Sequence, residues 1–66
     1  MGVLKVIEVL ASSTKSWEDA ANNAVEHAGK SVRNIKSVYV KEQSAQVSDN
    51  KITEYRVNVK ITFEVN

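Results

Sequence analysis

The side chains of this 66-residue sequence that could do chemistry are few and scattered. His27 is the only histidine. A general base needs a positioned partner, and none stands at a diagnostic spacing; Asn23, one helical turn earlier, fits ordinary hydrogen bonding on a helix surface. Asp49 and Asn50 could ligate a cation, but they sit within Ser48-Asp49-Asn50-Lys51, where a turn already requires such residues for backbone reasons. Lys41, Glu42 and Glu54 read as cross-strand charge partners. Arg56, Asn58, Lys60, Thr62 and Glu64 form a polar row that could be a ligand wall. A solvated or inter-subunit face is the plainer reading, and the alternation of donors and acceptors suits a self-complementary contact. Nucleophilic triads, phosphate-gripping glycine loops and zinc spacings are absent, as is a twelve-residue calcium loop of the EF-hand kind. These residues build no catalytic constellation, and the expectation is a protein that is not an enzyme.

The elements that must position these residues are legible in the periodicity. Val3 to Leu10 is a β-branched, apolar run of strand length with two mostly apolar faces. Ala11 to Lys15 follows as a small polar connector. Trp17, Ala20, Ala21, Ala24, Val25, Ala28 and Val32 then repeat at helical spacing, which predicts a helix from about Trp17 to Arg33. Ser16 and Asp19 read as its capping box. Gly29 falls on the flank of the stripe and could end the helix early, but Val32 continues the pattern. Trp17 lies on this stripe, so packing is favoured over a role as a ligand platform. A strand is expected from Ile35 to about Gln46, with Ser37, Tyr39, Lys41 and Gln43 on one face and Val38 and Val40 on the other. From Ile52 to Val65 the alternation is nearly strict: Tyr55, Val57, Val59, Ile61, Phe63 and Val65 form a dry face opposite the Arg56 row. On this count Ser37 and Arg56 share a face.

The order β-α-β-β makes the first two strands parallel and the last two a hairpin. The fold class is therefore α+β: a three-stranded antiparallel sheet with the C-terminal strand central, packed on one helix, forming a single domain over residues 1–66. One helix cannot cover three long strands on both sides, and no disulfide or zinc staple is available because cysteine is absent. The chain is therefore expected to bury its sheet against copies of itself.

Composition excludes other classes. Nine basic and eight acidic residues, spread along the chain, give no field for nucleic acid or an anionic membrane. No apolar run approaches the ~20 residues of a membrane helix, and no signal peptide is visible at the start. A cytoplasmic location is expected.

The opening Lys5-Val6-Ile7-Glu8-Val9, the Ser12-Ser13 connector, the helix start Ser16-Trp17-Glu18-Asp19-Ala20-Ala21, the strand segment Val40-Lys41-Glu42 and the closing Glu54-Tyr55-Arg56-Val57-Asn58-Val59 together resemble the dodecin family. The similarity runs nearly the whole chain, in order. Ala11 departs from the family's usual glycine, and there is no C-terminal tail beyond the last strand. The resemblance implies twelve copies assembled as a hollow homododecamer that binds flavin (FMN or riboflavin) for storage or sequestration. It further implies a ligand site at three positions. Ser37 stands where the family has its stacking tryptophan, Arg56 where it has a glutamine that hydrogen-bonds the flavin ring, and Glu42 at an acidic position that helps hold the ribityl chain. Only Glu42 is kept in kind, so flavin binding is expected to be weakened. The helix start is more similar to the calcium-associated branch, which also lacks the tryptophan. That branch implies calcium binding or a purely structural assembly as the alternative, with the metal ligands unknown.

Overall fold

A computed structural model describes residues 2–65 and has the expected order: β1 (Val3–Ser13), α1 (Trp17–Ala28), β2 (Ile35–Ser48) and β3 (Lys51–Val65). The strands form one sheet in the order β1-β3-β2, with β3 antiparallel to both neighbours. The strict alternation of β3 explains its central place. Val57, Val59 and Ile61 are buried under the helix, while Arg56 and its row point to the opposite face. That opposite face is called the outer face below.

The helix rests on the sheet through Ala20, Ala24 and Ala28, all buried. Small side chains let the helix axis approach the sheet closely, so the core is Val57, Val59 and Ile61 against alanine methyls. Complete burial of each branched side chain stabilises by about 1.5–3 kcal/mol. Ser16 caps the helix by accepting the Asp19 amide at 2.9 Å. The capping box is only half formed, because the Asp19 carboxylate accepts from the Ser13 hydroxyl at 2.6 Å and so ties the helix start to β1.

Four boundaries differ from the periodicity. The helix stops at Ala28, not Arg33. Gly29 follows as the cap, and the amides of Lys30 and Ser31 bond three residues back in a tightened turn. Val32 is half-buried because that turn folds back onto the core, not because the helix continues. Asn34, at φ 62°, then redirects the chain into β2. β1 runs on to Ser13, through most of the expected connector, because β3 offers it partners as far as Tyr55. The β2–β3 hairpin is longer than expected at both arms and closes on Asp49 and Asn50 at φ 53° and 64°, the geometry of a two-residue type I′ turn.

The molecule is a slab of 51 × 19 × 13 Å. The twelve-residue helix spans about 18 Å of that length at 1.5 Å per residue. It shelters one stretch of one face and leaves the outer face and the hairpin tip open.

Candidate functional site

The site is built from the outer face, and a bulge in β2 assembles it. Val40 lies opposite Val59 and Glu42 opposite Asn58, so Lys41 is an extra residue that shifts the alternation. Glu42, Ser44 and Gln46 thereby join the outer face, while Gln43 pairs with Val57 on the helix side. Unbroken alternation had put Gln43 on the face of Ser37 and Tyr39. A second bulge, at Lys36, precedes Ser37, which lies opposite Thr62 on the outer face.

A shallow concavity of about 600 Å³ opens on this face, with Arg56 and Asn58 along its floor. Leu10 and Ser12 of β1 form one wall, and Glu42 and Ser44 of β2 the other. The Arg56 guanidinium donates to Gln46 Oε1 at 2.7 Å and to Glu54 Oε1 at 3.3 Å, which holds it flat along the strand. Asn58 Nδ2 donates to Glu42 Oε1 over 3.4 Å, a long bond. Beyond Asn58, Glu8 of β1 lies 3.6 Å from Lys41 Nζ. The Asn58 amide first, and then Lys41 and Lys60, hold the Glu8 carboxyl below its usual range.

Trp17 supports this wall from behind. Its indole N–H donates to the Ser44 carbonyl at 2.8 Å, and its ring meets Tyr55 edge-on with centroids 4.8 Å apart. The packing role expected for Trp17 is what the geometry provides. Asn23 does more than decorate a helix surface: its amide donates to the Ser12 carbonyl at 3.3 Å and joins the helix to β1. His27 is exposed in the last helical turn.

Of the three residues singled out from the sequence, Glu42 and Arg56 share the concavity, while Ser37 does not line it. Ser37 pairs with Thr62, six residues along β3 from Arg56, which is about 20 Å at ~3.3 Å per residue. The reading from sequence did not anticipate Leu10, Ser12, Ser44 or Gln46 near Arg56. The strand alternation could have supplied Leu10 and Ser12, but Ser44 and Gln46 depend on the bulge.

Two ligand chemistries can be tested against these residues. A flavin ring needs a flat aromatic surface, and the aromatic of this face is Tyr39, one pleat along from Ser37, with no aromatic in the concavity itself. The stacked arrangement does not fit. Calcium takes six to eight oxygens. No three His, Cys, Asp or Glu side chains gather among the described residues, and the Arg56 cation is bound to Glu54. A calcium cage within one subunit does not fit either.

Comparison with known proteins gives one consistent result. The family model described as Dodecin matches residues 3–66. The calcium dodecin of Mycobacterium tuberculosis is 42% identical over 66 residues, covering 98% of this chain and 92% of the relative. The crystal structure described as the calcium-chelating immunodominant antigen calcium dodecin of that organism, with a novel calcium-binding site, is 38% identical. It superposes with a TM-score of 0.83 over 97% of this chain and 91% of that one. An alanine variant of the Thermus thermophilus dodecin superposes with a TM-score of 0.94 at 26% identity, over 100% of this chain and 98% of that one.

Proposed function

The chain belongs to the dodecin family, and from that premise we propose that it is a non-catalytic subunit of a homo-oligomeric shell of twelve copies that binds or sequesters a small ligand. Residues 1–66 form one repeating unit of that shell, and its place is the cytoplasm. The observation that carries the reading is surface. The accessible area is 5004 Å², whereas a compact monomer of 7.3 kDa has about 4,200 Å² by the usual size scaling. The radius of gyration, 13.4 Å, likewise exceeds the ~11 Å of a globular chain this long. Both excesses report a sheet that the subunit does not cover by itself.

Within this shell, flavin-class binding is weakened. Ser37 offers no stacking surface, and Arg56 presents only donors and a charge where a neutral group could both donate and accept. Loss of a base-type stack costs ~1–3 kcal/mol per contact, roughly tenfold to a hundredfold or more in affinity. Titration of riboflavin with protein, followed by flavin fluorescence, tests this. The parent is expected to quench weakly, and Ser37→Trp to bind tighter by about tenfold to a hundredfold. Strong quenching by the parent at micromolar protein contradicts the reading.

Cation binding is the second reading, supported by the 42% identity to a calcium dodecin. Glu42 and Glu54 line the concavity without a third acidic side chain beside them among the described residues, so a cage would need oxygens from more than one subunit. On this reading, elemental analysis of extensively dialysed protein is expected to find retained calcium, at up to about one ion per subunit. Absence of metal, together with unchanged stability in chelator, removes this reading and leaves the shell standing.

A further inference from the structure

Residues 42–46 of β2 sit in a register of their own. β2 gains an extra residue at Lys41, and β3 gains one at Thr53, because Gln46 lies opposite Glu54 and Val47 opposite Ile52. The two bulges cancel. Val40 with Val59 and Val47 with Ile52 belong to one register, and the pairs from Glu42–Asn58 to Gln46–Glu54 are displaced from it by one residue. Both bulges could therefore be lost with no change to the hairpin turn or to the pairing beyond them. Such a slip turns every side chain of the window to the other face. Lys41, Gln43 and Ala45 would then face outward, and Glu42 and Ser44 would leave the wall of the concavity.

The side chains of the window choose weakly between these registers. Glu42, Ser44 and Gln46 are polar, and so is Gln43 in the opposite set. A strand polar on both sides is poorly specified in register, and β2 lies at the edge of the sheet with a neighbour on one side only. The hold comes from the helix. The Trp17 indole N–H donates to the Ser44 carbonyl at 2.8 Å. The same ring packs edge-on against Tyr55, whose partner Ala45 is the half-buried residue of the window. Among the described residues this is the one side-chain hydrogen bond from α1 to β2, whereas Asp19 and Asn23 both reach β1. A slip by one residue turns the Ser44 carbonyl over together with its side chain and breaks that bond.

We propose that Trp17 is a positioning residue of the concavity: from the helix side of the sheet it holds residues 42–46 in the displaced register that brings Glu42 and Ser44 beside Asn58 and Arg56. The consequence for ligand binding rests on the reading of the concavity as the ligand site, but the register is measured without ligand.

The absence of cysteine lets cross-strand disulfides report the register. Two double variants share Arg56→Cys and so lose the same Arg56 contacts. Ser44→Cys with Arg56→Cys matches the displaced register. Gln43→Cys with Arg56→Cys matches the slipped one, because Gln43 now lies opposite Val57 on the helix side. Each is made with Trp17 and with Trp17→Phe, which keeps a ring against Tyr55 and loses the N–H donor. The purified protein is mildly oxidised, and the bond within single chains is followed by mass under denaturing, non-reducing conditions. With Trp17 in place, the Ser44→Cys pair is expected to close and the Gln43→Cys pair to stay largely open. Trp17→Phe is expected to speed closure of the Gln43→Cys pair roughly threefold to tenfold, the effect of one lost hydrogen bond on an equilibrium. Val25→Ala truncates a side chain packed on the core and leaves the indole alone, and is expected to keep the parent's rate. An unchanged rate in Trp17→Phe, or an equal gain in Val25→Ala, overturns the assignment. Equal closure of the two pairs with Trp17 in place overturns it without the Trp17 variant.

Discussion

At the residue scale, the outer face shows how a few side chains set the chemistry of the concavity. Arg56 is held by Gln46 and Glu54 while its side chain remains exposed, which fixes its place along the strand. Asn58 sits between the Glu8 and Glu42 carboxylates and serves both. The consequence for Glu8 can be measured. Its folded pKa lies below the unfolded value, so its stabilising contribution is fully present above the unfolded value, near pH 4.3, and fades as pH falls through the folded one. Carboxyl chemical shifts followed by NMR against pH are expected to place the Glu8 midpoint below the ordinary glutamate range. Asn58→Ala is expected to raise it more than Lys41→Ala does. A Glu8 midpoint at the ordinary value in the parent, or no movement in either variant, contradicts the network. Parity put Ser37 and Arg56 on one face, and pairing with β3 keeps them there despite the bulge at Lys36; their reading as ligand positions rests on the family resemblance, not on alternation. That Glu42 faces Asn58 was not legible, because Lys41 is locally indistinguishable from any other strand residue and the bulge is decided by pairing with β3.

At the element scale, each boundary records a competition between local propensity and tertiary pairing. The dry face of β3 was readable because period-2 alternation persists from Tyr55 to Val65 and nothing competes with it. The helix end was misplaced because Val32 lies on the helical stripe by coincidence: it reaches the core from a turn. β1 was cut short because Ala11, Ser12 and Ser13 are poor strand formers, yet they pair with Val57, Arg56 and Tyr55. Two substitutions test the joints. Ser16→Ala removes the acceptor for the Asp19 amide and is expected to cost about 1 kcal/mol in chemical denaturation. Asn50→Gly relieves a side chain at φ 64° in the hairpin turn and is expected to stabilise by on the order of 0.5 kcal/mol. Reversal of either sign means that the cap or the turn is not as described.

At the scale of the whole molecule, the decisive feature is a mismatch between sheet and cover. A helix about 18 Å long lies on a slab 51 Å long, and the outer face has no layer of its own. The shortage was visible in the element count before any geometry, because one helix can shelter only one face of three long strands. The extent of the excess surface was not, since it depends on how far the hairpin projects beyond the helix. In this account the missing layer is further copies of the chain. Native mass spectrometry of the purified chain at low micromolar concentration examines this directly. The account predicts a particle of twelve subunits, each of 7.3 kDa, with single chains scarce. A folded species at the mass of one chain, melting cooperatively on its own, would contradict it.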